Sequence, residues 1–150
     1  MKYASRLKPR PAQLLLADDN QNGMLARKAL LEEQGFVITT ASNGEEAFDA
    51  LSTGVFDLMV TDFRMPRMNG IELIRKVRVL KPELPIIMLS GFADAYGLDE
   101  KSTGADLVLN KGAHEIPNLL RSVTRLLARQ VIRKPPGVQK AKAKAKAKSI

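Results

Sequence analysis

Short apolar runs alternate with segments of helical periodicity along the central part of the chain. Five runs have the length and composition of strands, namely residues 13–17, 36–41, 57–61, 85–89 and 106–109. Several of them, such as residues 86–89, are apolar without alternation, which is typical of strands buried on both faces of a sheet. The pattern therefore predicts an α/β fold, a doubly wound five-stranded parallel sheet with helices on each side.

The segments that follow the strands are predicted to be helices, over residues 20–34, 45–51, 71–80, 93–103 and 115–132. In the first, the apolar positions at three–four spacing are Met24, Leu25, Ala29, Leu30 and Leu31. Ser42 is expected to cap the second helix, with Glu45 completing a capping box. Gly97 interrupts the fourth helix, which is the weakest of the five, whereas the fifth is strongly amphipathic.

Charge is distributed unevenly. The formal net charge is +8, but residues 1–10 carry +4 and residues 129–150 carry +8, so that residues 11–128 carry −4. We therefore divide the chain into a basic N-terminal extension (1–11), a folded domain (12–132) and a Lys/Ala-rich basic tail (133–150). The tail has almost no apolar bulk, so we expect it to be disordered. We consider that it binds a polyanion such as nucleic acid or an acidic surface, the alternative being a solubilising or incidental tail.

The chain has no cysteine, which excludes disulfides and thiolate metal sites. No segment approaches the ~18 apolar residues that a membrane span requires. The apolar run at residues 14–17 is too short for the centre of a signal peptide. We expect a cytoplasmic protein without a membrane span.

Residues with ionisable or hydroxyl side chains follow four of the predicted strands. Asp18 and Asp19 follow the first, Asp62 the third, Ser90 the fourth and Lys111 the fifth. Because the carboxyl ends of parallel strands share one edge of a sheet, these side chains are expected to lie close together. Clustered carboxylates raise one another's pKa or require a cation, and Mg²⁺ suits such a set. A carboxylate can also attack phosphorus and form an aspartyl phosphate.

Four motifs carry a family resemblance: LLADDN at 15–20, DLMVTDFRMPRMNG at 57–70, IIMLSG at 86–91 and GAD at 104–106. With them, residues 12–132 resemble the CheY-like receiver domain of response regulators in two-component systems, here as a stand-alone receiver. The resemblance implies a flavodoxin-like (βα)5 fold with strand order 2-1-3-4-5. It also implies a phosphorylatable switch and not a turnover enzyme.

The resemblance assigns roles to particular residues. It implies that Asp62 accepts a phosphoryl group from a sensor histidine kinase or a phosphotransfer protein. It implies that Mg²⁺ is held by Asp18, Asp19, Asp62 and the backbone carbonyl of Arg64. Ser90 and Lys111 would then bind the phosphoryl oxygens. A downstream protein target would dock on the face formed by helix 4, strand 5 and helix 5.

Three positions depart from the family pattern. Gly112 follows the lysine where the family usually has a proline, so a trans Lys111–Gly112 peptide is expected. Val108 stands where the family often has an aromatic switch residue, and we expect it to be ordinary strand core. Arg64 is expected to overhang the site. We hypothesise that its guanidinium contacts the phosphoryl group or crowds the attacking water, the alternative being a solvated loop arginine.

Two other functions stay open. The first is a receiver-like nucleic-acid-binding protein that uses the basic tail and has weak or vestigial phosphorylation. The second is an enzyme on the same fold. A flavin-binding relative would need a Ser/Thr/Gly-rich phosphate loop after the first strand, where Asp18-Asp19 stands instead. A haloacid-type phosphatase carries its nucleophilic aspartate after the first strand, whereas the central aspartate here follows the third.

Overall fold

Five strands and five helices alternate in a computed structural model that describes residues 10–91 and 97–133. The strands are β1 (Gln13–Ala17), β2 (Val37–Ala41), β3 (Leu58–Asp62), β4 (Ile86–Ser90) and β5 (Leu107–Asn110). The helices are α1 (Gln21–Glu33), α2 (Gly44–Thr53), α3 (Gly70–Leu80), α4 (Glu100–Thr103) and α5 (Glu115–Arg133). Each predicted strand is present, and β2 to β5 begin one residue later than predicted.

All five strands are parallel and are ordered β2-β1-β3-β4-β5, which confirms the predicted topology. The register aligns the ends of the strands. Ala17 pairs with Thr61, Asp62 pairs with Leu89, and the residues that follow these strands consequently lie along one edge of the sheet.

The sheet is buried on both faces, as the apolar runs predict. Leu15, Met59 and Met88 face a layer made mainly by α2 and α3. The alternate residues of the same strands, such as Leu14 and Val60, face a second layer made by α1 and α5. Because side chains alternate along a strand, Asp18 and Asp62 fall on the face that α1 and α5 cover.

The first helix buries a different face from the predicted one. Met24, Arg27 and Leu31 are its buried residues, whereas Leu25 is 56% exposed and Ala29 is also exposed. The prediction of an apolar face that includes Leu25 and Ala29 was therefore wrong. The spacing of the buried residues is helical, but its middle position is an arginine.

The capping residue of α2 also differs from the prediction. Asn43, not Ser42, is the N-cap, and its side-chain oxygen accepts a hydrogen bond from the backbone N–H of Glu46 at 2.9 Å. The Glu46 carboxylate in turn accepts from the N–H of Ser42 at 2.7 Å. The predicted capping box of Ser42 with Glu45 is therefore wrong: the glutamate that bonds back is Glu46, and it accepts from the N–H of the residue before the N-cap.

The fourth helix is shorter than predicted in the part that the structure describes. Residues 97–99 are not helical, and α4 begins only at Glu100, after Asp99 caps it by accepting from the N–H of Ser102 at 2.8 Å. Gly97 has a positive φ of 64°, which a helix cannot accommodate. The Glu100 carboxylate accepts a hydrogen bond from the backbone N–H of Val108 at 2.8 Å, which ties α4 to β5. Residues 93–96 of the predicted helix lie outside the described residues.

Most of the two basic ends also lies outside the described residues, so the predicted extension (1–11), domain limits (12–132) and disordered tail (133–150) stay predictions. Arg10 is described, and its guanidinium bonds both carboxylate oxygens of Asp57 at 3.0 and 3.1 Å. Across residues 10–91 and 97–133, no helix is long and apolar enough to cross a bilayer.

Candidate functional site

Three acidic side chains meet at the carboxyl ends of β1 and β3. Carboxylate oxygens of Asp18, Asp19 and Asp62 all lie within 4.8 Å of one another. Asp18 is 4% exposed and Asp62 is 7% exposed, while Asp19 is open to solvent. The structure therefore brings together the three carboxylates that the sequence places at the ends of these strands.

A lysine provides the counter-charge for this acidic cluster. Nζ of Lys111 lies 3.0 Å from Oδ1 of Asp62 and 3.9 Å from Oδ2 of Asp18. The backbone N–H of Lys111 donates to the carbonyl of Ser90 at 3.0 Å. Ser90 is itself buried at the end of β4, one residue beyond Leu89, the pairing partner of Asp62. All five side chains predicted at this edge are thus grouped there.

Burial raises the pKa of Asp62 above its ordinary value, because the charged form loses solvation. The hydrogen bond and the positive charge of Lys111 act in the opposite direction, and the charge of Asp18 raises the pKa further. The backbone N–H of Phe63 also donates to Oδ1 of Asp62, at 2.9 Å. One ammonium therefore only partly offsets the burial and crowding of the carboxylates.

The acidic cluster fits a hard divalent cation. Its donors are carboxylate oxygens, and Mg²⁺ is typically held by one or two carboxylates with additional oxygen ligands. A cation there would relieve the repulsion and the desolvation that raise the pKa of Asp62. The predicted set of Asp18, Asp19, Asp62 and the backbone carbonyl of Arg64 is chemically suited to this ion.

The Asn69-Gly70 motif fixes the loop that follows Asp62. A Cβ atom on Gly70 would lie 2.3 Å from the backbone oxygen of Asp62, which leaves room only for glycine. The N–H of Gly70 donates to the carbonyl of Phe63 at 2.8 Å. Asn69 caps α3 in a capping box with Glu72, at 2.9 and 3.0 Å. The loop is therefore anchored at Asp62 on one side and at α3 on the other.

The three positions that depart from the family pattern are all described. Arg64 is exposed and lines, with Asp19, Phe63 and others, a cavity of about 510 Å³ beside the acids. Its proposed contact with a phosphoryl group stays a hypothesis. Val108 packs, partly buried, against the layer of α2 and α3, as expected for strand core. The Lys111–Gly112 peptide is trans, since the described ranges contain no cis peptide bond.

Sequence reasoning missed two charged residues beside the acids. Arg27 of α1 donates to Oδ2 of Asp18 at 2.6 Å and to Oε2 of Glu115 at 2.5 Å. The signal in the sequence was the spacing of Met24, Arg27 and Leu31, which puts an arginine on the face that packs against the sheet. A charged residue at such a position predicts a buried partner of opposite charge.

A doubly wound parallel sheet in this strand order, with carboxylates and a lysine at the ends of its strands, defines the class of CheY-like α/β proteins. Comparison with known proteins agrees with that class. Residues 14–139 match the family model described as response regulator receiver domain. The chain belongs to the response regulator receiver domain family of two-component systems.

Individual relatives resemble the chain over different parts of their length. The response regulator receiver protein CpdR of Brucella abortus is 36% identical over 115 residues, covering 76% of this chain and 94% of the relative. The transcriptional regulatory protein DctD of Rhizobium meliloti is 35% identical over 81 residues, which are 54% of this chain but only 18% of DctD. The likeness to CpdR spans nearly the whole of that relative, whereas the likeness to DctD spans less than a fifth of it.

Solved structures show the same fold. A CheY-like receiver domain protein from Methanospirillum hungatei superposes with a TM-score of 0.76 at 26% identity, covering 83% of this chain and 99% of that chain. The response regulator protein TrrA of Thermotoga maritima, solved with Mg²⁺-BeF, superposes with a TM-score of 0.69 at 32% identity, covering 77% and 98%. Nothing in these comparisons favours the alternative of a nucleic-acid-binding protein.

Proposed function

We propose that this receiver accepts a phosphoryl group on Asp62 from a phosphohistidine of a sensor histidine kinase or a phosphotransfer protein, in a reaction that requires Mg²⁺. The observation that carries the proposal is the gathering of three carboxylates within 4.8 Å, with Nζ of Lys111 at 3.0 Å from Asp62. TrrA, whose solved structure contains Mg²⁺-BeF, supports the choice of ion.

The chemical step requires positioning and charge neutralisation more than covalent assistance. A carboxylate oxygen of Asp62 attacks phosphorus, the N–P bond of the phosphohistidine breaks, and the imidazole nitrogen keeps the electron pair and takes up a proton. Asp18, Asp19, Asp62 and the backbone carbonyl of Arg64 would hold Mg²⁺. When bound, the ion neutralises charge on the phosphoryl oxygens.

Ser90 and Lys111 are proposed to respond to the new charge. A phosphoryl group on Asp62 adds a charge of roughly −1.5 to −2 and strong acceptor oxygens. Lys111 already lies within 3.0 Å of the carboxylate that would carry the group. Ser90 would donate its hydroxyl proton to a phosphoryl oxygen. The protein then acts as a switch and not as a turnover enzyme.

The proposed docking face for a downstream protein target is formed by α4, β5 and α5. A cavity of about 640 Å³ lies on this face and is lined by Leu109, Leu120, Arg121, Arg125 and neighbouring residues of α5. Apolar side chains flanked by two arginines suit a protein surface of mixed apolar and acidic character. Lys111 follows β5 directly, so the face adjoins the site.

A small phosphodonor tests the proposal. The full chain is incubated with acetyl phosphate and Mg²⁺ and analysed by intact mass, and we expect a gain of one phosphoryl group that EDTA prevents and hydroxylamine removes. Asp62→Asn should abolish the gain, whereas Asp49→Asn, which neutralises an exposed acid on α2, should leave it unchanged. A gain that persists in Asp62→Asn would refute the assignment of the acceptor.

A further inference from the structure

Arg27 joins the acidic site to the first turn of α5. Its side chain is 8% exposed, and its two acidic partners, Asp18 and Glu115, are 5% and 11% exposed. Nη1 lies 2.6 Å from Oδ2 of Asp18, and Nε lies 2.5 Å from Oε2 of Glu115. One guanidinium thus bonds a carboxylate of the metal site and a carboxylate on a helix of the proposed docking face.

The sequence makes room for this arginine. Gly23 lies one turn before it in α1, and a Cβ atom there would lie 3.2 Å from Nη1 of Arg27. A larger residue at Gly23 would press on the guanidinium group that bonds Asp18. A glycine in a helix costs about 1 kcal/mol relative to alanine. The glycine at residue 23 is therefore better explained by the space it leaves for the guanidinium group of Arg27 than by helix stability.

Charge explains why the arginine and the glutamate occur together. In their ionised forms, Asp18, Asp19, Asp62 and Lys111 carry a net charge of −2, which matches one divalent cation. Arg27 alone would reduce that to −1 and would compete for Asp18. Glu115 restores it to −2. The charges of both acids hold Arg27 ionised, and they raise its pKa although burial acts in the opposite direction.

We propose that Arg27 is a positioning residue that couples the charge of the acidic site to the first turn of α5 through Glu115. A cation bound near Asp18 offsets the negative charge that holds Nη1, so Arg27 is then held chiefly by Glu115. Neutralising Glu115 leaves the positive charge of Arg27 directed at Asp18 alone, where it opposes the binding of Mg²⁺. Because binding free energies are linked, the two effects are reciprocal.

The coupling supplies a connection from the site to α5 that does not pass through β5. Val108 is a partly buried valine without a ring that could rotate. Glu115 lies in the first turn of α5, where its charge also interacts favourably with the helix dipole. A change in how firmly Arg27 holds Glu115 therefore acts on the end of α5 that adjoins the site.

The inference rests on the Mg²⁺ site of the proposed function, and Mg²⁺ affinity measured by calorimetry on the full chain tests it. Glu115→Gln should weaken Mg²⁺ binding by roughly three- to tenfold, as expected for one unit charge a few ångströms from the site. Arg27→Gln should tighten it. In the Arg27→Gln background the Glu115→Gln change should have a smaller effect, because the shared guanidinium is gone.

The matched control is Glu32→Gln. Glu32 forms an ion pair with Lys28 at 3.5 Å on the exposed side of α1, and Lys28 is the residue next to Arg27. The substitution therefore removes one negative charge from the partner of a neighbouring cation, as Glu115→Gln does for Arg27. It should leave Mg²⁺ affinity unchanged. A second readout is the backbone amide resonance of Glu115, which should shift when Mg²⁺ binds the wild type and shift less in Arg27→Gln.

The outcomes separate the two proposals. Mg²⁺ affinity that is the same in Glu115→Gln as in the wild type overturns the coupling and leaves the proposed function standing. A wild-type chain that binds no Mg²⁺ overturns the Mg²⁺ requirement and the coupling together. If Arg27→Gln does not fold, Glu115→Gln decides alone, since it keeps the arginine and its bond to Asp18.

Discussion

Lys111 places its ammonium 3.0 Å from Oδ1 of Asp62 while its own backbone N–H is bonded to the carbonyl of Ser90. A single residue thus joins the ends of β3 and β4 through its side chain and its main chain. Any new charge on Asp62 pulls directly on a residue whose backbone belongs to the loop before α5. Lys111 is therefore both the counter-ion of Asp62 and a connection from Asp62 to the loop before α5.

Replacing this lysine should separate ion binding from phosphorylation. In Lys111→Ala we expect Mg²⁺ to bind more tightly, because a competing cation near Asp18 and Asp62 is lost. Phosphorylation by acetyl phosphate should fall by roughly 10²-fold or more, as expected when a preorganised donor to a reacting oxygen is removed. Calorimetry and time-resolved intact mass measure the two effects.

Lys101→Ala on α4 is the control, since Lys101 is an exposed lysine with no bond to the acidic site among the described residues. Equal rates of phosphorylation in Lys111→Ala and the wild type would contradict the role of the ammonium.

Neutralising the acceptor should stabilise the fold when no metal is bound. The folded-state pKa of Asp62 is raised, chiefly by burial and further by Asp18, so ionisation of Asp62 destabilises the fold. In EDTA, Asp62→Asn should therefore have a higher Tm than the wild type at pH 7. The difference should vanish below the ordinary aspartate pKa, where Asp62 is protonated in both states. It should grow between the ordinary pKa and the raised pKa, and stay constant at higher pH, where Asp62 is ionised in both states.

Thermal denaturation from pH 3 to pH 8 measures this difference, with Asp49→Asn as the exposed control. Mg²⁺ should raise the Tm of the wild type and should raise that of Asp62→Asn less. A wild type more stable than Asp62→Asn throughout the neutral range would contradict the unfavourable ionisation of Asp62.

Two glycines should respond differently to alanine. In Gly70→Ala the added Cβ would meet the backbone oxygen of Asp62 at 2.3 Å, so the loop must shift. We expect a loss of about 1–3 kcal/mol in the free energy of unfolding, together with slower phosphorylation. In Gly112→Ala the added Cβ meets nothing within 4 Å, so stability should be almost unchanged. Urea denaturation of both variants is the measurement, and equal losses would refute the steric argument.

Arg78 holds together the end of the sheet opposite the acidic site. Its guanidinium donates to the carbonyls of Leu84 and Gly104 at 2.6 to 3.1 Å and to the Asp106 carboxylate at 2.9 Å. Arg78→Met should lower the free energy of unfolding by roughly 2–3 kcal/mol, because charged hydrogen bonds are lost and carbonyls are left unpaired. Arg78→Lys should recover little, since one ammonium cannot replace the planar fork.

Arg75→Ala provides the comparison, as Arg75 is an exposed arginine on the same helix. Its effect on stability should stay within about 0.5 kcal/mol. Chemical denaturation of Arg78→Met, Arg78→Lys and Arg75→Ala measures these effects. Equal free energies of unfolding for Arg78→Met and Arg75→Ala would contradict the anchoring role of Arg78.

The fold and most of the acidic site could be predicted from the sequence because both follow from one pattern. Strands such as β4 are apolar without alternation, which signals burial on both faces, and burial on both faces signals a parallel sheet. Once the sheet is parallel, Asp18 and Asp62 must share an edge. That Asp18, Asp19 and Asp62 come within 4.8 Å of one another also requires β1 and β3 to be neighbours, which the resemblance to receiver domains implied.

Arg27 and Glu115 could not be predicted in the same way. An arginine in an amphipathic helix is ordinarily solvated, and a glutamate in the first turn of a helix is already favoured by the dipole. Arg27 and Glu115 are 88 residues apart in sequence. Their pairing depends on how α1 and α5 pack against the same face of the sheet. The N-cap of α2 was missed for a local reason, since Ser42 and Asn43 are both good capping residues and only the backbone geometry selects Asn43.

The hydrogen bond from Val108 to Glu100 has a consequence for how other proteins can approach β5. As the outermost strand on its side, β5 would otherwise present this outward N–H to an incoming strand, the usual route to edge-to-edge aggregation and to binding by strand addition. The carboxylate occupies that donor with a fixed negative charge. A partner that adds a strand along β5 therefore finds this N–H occupied unless it first displaces α4.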